Sequence, residues 1–192
     1  MKLDPVALAV AFAVALAVFL VFFLIVVSYN GVVALRQRAE KAWANIEVTL
    51  KQRHDMLPNL VNAVRDVMGF EQAVLEEVTR QRARWSPEDA PPAQAAASDG
   101  TSAAGRTLVA TVEAYPELKS QGNVLELQGE IERLESMIAD RRELYNDSVY
   151  RFNTAIAQVP GALFAPVFGW RPREFFEAAP EEREKPDVSL RS

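Results

Sequence analysis

Twenty-three consecutive residues, Pro5 to Val27, carry neither a charged nor a polar side chain. As a helix this run spans roughly 34 Å, against about 30 Å for a bilayer core. A helix is one of the few structures that satisfies its own backbone groups inside hydrocarbon. A cleaved signal peptide has a shorter apolar region of about 7–15 residues, and Ser28-Tyr29-Asn30 offers no small-residue cleavage pattern. A buried core helix fits worse, since the rest of the chain could not surround so uniform a cylinder. The run predicts one uncleaved transmembrane helix over 5–27, after a short flank at 1–4.

Charge falls almost entirely after that run. Arg36, Arg38 and Lys41 follow it closely, while Lys2 precedes it and is offset by Asp4. The positive-inside bias therefore predicts the N-terminus outside and the remainder in the cytoplasm, in an inner membrane or a bacterial organelle membrane. The sequence has no cysteine, which excludes disulfides, thiolate metal sites and cysteine nucleophiles. A net charge of −5 argues against a nucleic-acid partner, which would need a clustered basic face.

The remainder reads as all-α, an antiparallel up-and-down four-helix bundle over 28–159. Four segments have helical periodicity. The first, Tyr29 to His54, continues the membrane helix, with Leu35, Ala39, Ala42, Ile46 and Leu50 on one stripe. The second, Pro58 to Arg84, follows a break expected at Leu57-Pro58, because proline suits a first turn and restricts the residue before it. Ser86 to Gly105, with Pro87, Pro91, Pro92 and two glycines, reads as a loop over about 86–105. The third helix is expected over Arg106 to Leu118. The fourth, Gly122 to Gln158, shows the three-four alternation of a coiled coil or bundle at Val124, Leu127, Ile131, Leu134, Ile138, Tyr145, Phe152 and Ile156. No strand pattern is present. Residues 160–192 read as an aromatic segment followed by a charged, disordered tail.

The chain resembles the LemA family. The resemblance rests on Tyr29-Asn30, Arg36, Ala42-Trp43-Ala44-Asn45-Ile46-Glu47-Val48, Leu50-Lys51-Gln52-Arg53 and Leu57-Pro58-Asn59-Leu60-Val61. It continues through Tyr115-Pro116-Glu117-Leu118-Lys119, Leu127-Gln128, Arg141-Arg142, Tyr145-Asn146-Asp147, Asn153-Thr154-Ala155-Ile156, Pro160-Gly161 and Phe168-Gly169-Trp170. It implies a membrane-tethered antiparallel four-helix bundle and carries no assigned chemistry. Some members of the family are linked to magnetosome membranes, and others are encoded beside membrane metalloproteases.

No catalytic residue set emerges. His54 is the only histidine and lacks the further ligands a metal site needs. HExxH, P-loop and GxSxG strings are missing, and the many carboxylates read as solvated helix faces. No cofactor and no small-molecule substrate is implied. Two charged residues interrupt apolar seams, Glu71 in the second helix and Arg141 in the fourth. A buried charge needs a partner, so they are expected to meet, to find other partners, or to lie at the flank and reach water. Asn59, Asn146 and Asn153 are expected to cap or bridge helices. The topology would return the end of the fourth helix to the bilayer, placing Trp85, Phe164, Phe168, Trp170, Phe175 and Phe176 at the membrane interface, where aromatics are favoured, or over the open end of the bundle. The expected function is a non-enzymatic, single-pass membrane scaffold or adaptor with protein partners or self-association. The alternatives are an accessory of a membrane enzyme such as a metalloprotease, and an organiser of a magnetosome-like organelle membrane.

Overall fold

The computed structural model describes residues 5–65, 72–115, 118 and 121–176. Glu71 and the charged tail after Phe176 lie outside the described residues. Among the described residues every regular element is a helix: α1 Pro5–Arg65, α2 Gln72–Arg82, α3 Pro91–Glu113, α4 Gly122–Ala157 and α5 Gly161–Phe168. The apolar run forms the first part of α1, long and apolar enough to cross a membrane, and its side chains are exposed, as at Phe12 and Val18, apart from a partly buried Ile25.

α1 continues unbroken to Arg65, which corrects the expected break at Leu57-Pro58. Its buried positions explain why. Val32, Ala39, Ile46, Arg53 and Leu60 recur every seven residues, and Leu50, Leu57 and Val64 form a second track. Neither track changes phase at Pro58. Proline in a helix interior frees the carbonyl four residues earlier, at a cost of about 3 kcal/mol. Here that carbonyl belongs to His54, and Arg82 Nε donates to it at 2.9 Å. A side chain from α2 thus replaces the hydrogen bond that Pro58 cannot make.

The expected loop over 86–105 is also corrected, because α3 begins at Pro91. The two prolines occupy the first turn, where a missing N–H leaves nothing unsatisfied, and the alanines after them are strong helix formers. The face α3 buries consists mainly of small residues, including Ala95, Ser98, Ser102, Ala104 and Gly105. A β-carbon on Gly105 would stand 3.9 Å from Leu57 Cδ2, an ordinary packing contact between α3 and α1.

The chain divides into two compact units. Unit 1 comprises residues 1–40 and 147–173. Its core is Val32, Phe152, Ile156 and Ala165, flanked by Leu35, Ala155 and Trp170. α5 follows a tight turn with a cis Val159–Pro160 peptide bond. At Gly161 a β-carbon would come within 2.0 Å of the Ala155 carbonyl oxygen, so only glycine fits that approach.

Unit 2 comprises residues 41–146 and 174–192. One core draws on four helices: Leu57, Leu60, Val61 and Val64 of α1, Leu75 and Val78 of α2, Ala104, Leu108 and Val112 of α3, and Val124 and Ile131 of α4, with Leu118 between α3 and α4. Each fully buried branched side chain contributes about 1.5–3 kcal/mol. Chain directions alternate. Gln72 lines a cleft with Arg65 while Arg82 reaches His54, so α2 runs against α1. Asp99 pairs with Arg142, and Ser102 bonds Glu135, so α4 runs against α3. It also runs against α1, with Glu135 on Arg53 and Arg141 on Asn45. Within unit 2 this is an up-and-down arrangement of four helices.

Candidate functional site

In unit 1 the apolar run of α1 ends at Val27, and the next aromatic residue is Tyr29. Two rings from the C-terminal hairpin settle on it. The Tyr29 and Phe168 ring centroids are 4.9 Å apart, and those of Tyr29 and Trp170 are 5.7 Å apart. Phe168 and Trp170 stand 5.1 Å from each other, and Phe164 extends the group at 6.5 Å from Phe168. Gly169 makes this possible. It adopts the left-handed conformation, φ +66°, that glycine alone enters freely, and Trp170 N–H returns to the Ala165 carbonyl at 2.9 Å. The chain therefore reverses and lays Trp170 over Tyr29. α5 carries no polar side chain, and its Leu163, Val167 and Phe168 are exposed. Asn153 secures the strap beyond: its Nδ2 donates to the Arg173 carbonyl at 2.9 Å and its Oδ1 accepts the Arg173 N–H at 2.8 Å. The Arg173 guanidinium pairs with Glu40 at 2.6 Å. The result is an aromatic collar beside the end of an apolar helix.

Of the six residues expected at the interface, Phe164, Phe168 and Trp170 belong to this collar. Phe175 is exposed. Phe176 is a correction: it is fully buried in unit 2, 6.1 Å from the Trp43 ring and 4.8 Å from the Arg142 guanidinium. Trp85 packs within unit 2, its ring half-buried against His54 at 4.9 Å. Arg141 donates to the Asn45 carbonyl at 2.6 Å and to the Thr49 hydroxyl, while its expected pairing with Glu71 falls outside the described residues.

Unit 2 contains a polar layer that the sequence reading passed over. Arg53 occupies an inward position of α1, with only 3 % of its side chain exposed. Its Nη1 donates to Glu135 Oε1 at 2.8 Å and to Ser102 Oγ at 2.5 Å. Its Nη2 donates to Ser98 Oγ at 3.0 Å and the Ser98 carbonyl at 3.1 Å. Ser102 in turn donates to Glu135 Oε2 at 2.7 Å. A buried cation of this kind persists only when paired and hydrogen-bonded. The signal was present in the heptad track through Ile46 and Leu60, but ending the helix at His54 hid it.

His54 is occupied structurally, with Nδ1 3.3 Å from Asp55 Oδ1. Asp55 is held below the usual carboxylate range, first by the hydrogen bond from Lys51 and then by that from His54. Both are surface effects on an exposed carboxylate.

The sequence profile of the LemA family matches residues 42–190. The chain belongs to the LemA family. The matched region begins just before Trp43 and includes the whole polar layer and the C-terminal strap. Together with the apolar part of α1, it makes this a membrane-associated protein of LemA type. The chain is similar to the magnetosome protein MamQ of Magnetospirillum gryphiswaldense, 24 % identical over 183 residues that cover 81 % of this chain and 67 % of that one. It is similar at 23 % identity and the same coverage to two MamQ proteins of Paramagnetospirillum magneticum.

Proposed function

We propose that this LemA-family protein is a non-enzymatic scaffold or adaptor, tethered by one span and self-associating in the plane of the membrane. The observation that carries this reading is the aromatic collar of Tyr29, Phe164, Phe168 and Trp170 beside the end of the apolar helix. Amphipathic rings are favoured at headgroup depth. The exposed apolar side chains of α5 suit the same zone, where an apolar face is buried about 5–10 Å into the headgroup boundary. The collar thus gives the span a second foothold. Arg36, Arg38 and Lys41 favour the soluble part on the cytoplasmic side, with the N-terminus outside. The run is rich in Ala and Val, which allow close packing between copies of the span.

In-membrane cross-linking with identification of the products tests the reading. Self-cross-links as the main product are expected. A membrane metalloprotease as the main product would instead make the protein an enzyme accessory. Labelling of single cysteines introduced into this cysteine-free chain tests orientation: external labelling of a site in unit 2 would reverse it. The similarity to MamQ favours a second reading, an organiser of a bacterial organelle membrane. It differs in location, and fluorescence imaging of a tagged chain separates uniform inner-membrane signal from a discrete compartment.

A further inference from the structure

In unit 2 the segment Glu174 to Phe176 lies on α4 in the manner of a bound peptide. Asn146 Nδ2 donates to the Phe176 carbonyl at 3.0 Å, and Asn146 Oδ1 accepts the Phe176 N–H at 2.8 Å. The Tyr145 hydroxyl donates to the Glu174 carbonyl at 3.0 Å. All three bonds go to main chain, so they are indifferent to the side chains of the segment. Selectivity comes from one residue. The Phe176 ring is fully buried beside Trp43, which itself stands 5.4 Å from Tyr145, and under the Arg142 guanidinium. Its neighbours Glu174 and Phe175 point outward and are exposed. Main-chain bonds that give affinity, combined with a pocket that gives specificity, are the physics of extended-peptide recognition.

We infer that the cleft formed by Trp43, Arg142, Tyr145 and Asn146 is a binding site for an extended peptide with an aromatic anchor, and that its exchangeable occupant is the C-terminal segment of a second copy of this chain. Every copy carries the matching ligand. The contacts made in trans are the same as those made in cis, so exchange forfeits only the advantage of the tether. That advantage is an effective concentration on the order of millimolar, and confinement of copies to one membrane offsets it. The inference deepens the self-association proposed above and rests on the membrane tethering in that reading.

Complementation between two full-length variants tests it. An acceptor, Phe176→Ala, keeps the cleft and lacks the anchor. A donor, Trp43→Ala with Asn146→Ala, keeps the anchor and lacks the cleft. The two carry different tags and are reconstituted together in phosphatidylcholine–phosphatidylglycerol vesicles, solubilised mildly and pulled down. The acceptor–donor pair is expected to associate about tenfold more than either variant with itself, in line with the loss of a central aromatic anchor. A labelled synthetic peptide of residues 170–177 is expected to bind the acceptor and compete with the donor, while the same peptide with the phenylalanine at 176 replaced by alanine does neither. Equal association in all pairings overturns segment exchange and leaves association through the span intact. No association in any pairing, the unaltered chain included, overturns both. Failure of the acceptor to bind the peptide removes the cleft as a site, whatever the pull-down shows.

Discussion

The two units of this chain draw on the same pair of long helices and fill their interiors in opposite ways. On α4 one heptad track reads Gln128, Glu135 and Arg142 within unit 2, then Val149 and Ile156 within unit 1. On α1 the matching track reads Val32 and Ala39 within unit 1, then Ile46, Arg53 and Leu60 within unit 2. Unit 1 is held by aliphatic and aromatic packing with a strap hydrogen-bonded at its edge. Unit 2 carries a charge network through its middle. The difference follows from what each must specify. Unit 1 has two long helices and a short hairpin, and tolerates non-directional packing. Unit 2 must choose one register for four helices, three of them with small or aliphatic faces that slide easily. Directional bonds among Arg53, Ser98, Ser102 and Glu135 penalise the wrong registers.

The polar layer of unit 2 is most sensitive at Glu135. Giving it the residue type that unit 1 uses on the same track, Glu135→Val, leaves Arg53 buried without its counter-charge. The expected loss is about 3–5 kcal/mol of stability, read as a lowered midpoint in denaturant titrations followed by far-UV circular dichroism of the full chain in detergent. Arg53→Met added to Glu135→Val should recover most of that loss; if it recovers none, the layer acts through something other than charge pairing.

The reverse exchange is made in unit 1. Ile156→Gln places an unpaired amide in the core of unit 1 and removes apolar burial, at an expected cost of about 2 kcal/mol or more. An unchanged midpoint would show that unit 1 accepts polar groups as unit 2 does.

Arg82→Leu removes the donor from the His54 carbonyl that Pro58 leaves open, at about 1–3 kcal/mol. In a Pro58→Ala background that carbonyl regains its helical partner, and the cost of Arg82→Leu should fall to near zero. Equal costs in both backgrounds would mean that Arg82 matters for another reason.

Periodicity carried most of the fold. The long apolar first helix, the α4 boundaries and the antiparallel pairing are legible because long apolar tracks admit few alternatives. Two boundaries differ from the sequence expectation for one physical reason: in a local pattern proline reads as a stop. At Pro58 the missing bond is replaced from α2, and at Pro91-Pro92 the prolines open the helix instead of interrupting it. Both replacements come from tertiary structure or from position within a turn, which a local pattern does not display. The first difference also conceals Arg53, since a helix ending at His54 leaves that residue at a frayed end. The collar was legible in its residue types, and Phe164, Phe168 and Trp170 were named from them. Tyr29 was not, because its role depends on the turn at Gly169. Phe176 shows the converse, an aromatic that composition groups with its neighbours and the Asn146 clamp withdraws from them.

The smallest effect concerns the surface of unit 2. Asp55 has a lowered pKa, so its contribution is present above the ordinary carboxylate range and is lost as pH falls through the lowered value. Lys51→Ala should cost only about 0.3–0.5 kcal/mol at neutral pH, as for an exposed pair one helical turn apart. The difference between the variant and the parent should vanish in acid. A difference that persists there would assign the effect to helix propensity instead.

On the proposed function, the collar of unit 1 lies at the membrane surface. The chain has three tryptophans, so Trp43→Phe with Trp85→Phe leaves Trp170 as the sole emitter. The measurement is quenching of its fluorescence in vesicles by lipids labelled at graded depths. Strongest quenching by labels near the headgroups and upper acyl chains is the predicted result. Quenching by an aqueous agent alone, with none from any lipid label, would contradict the account.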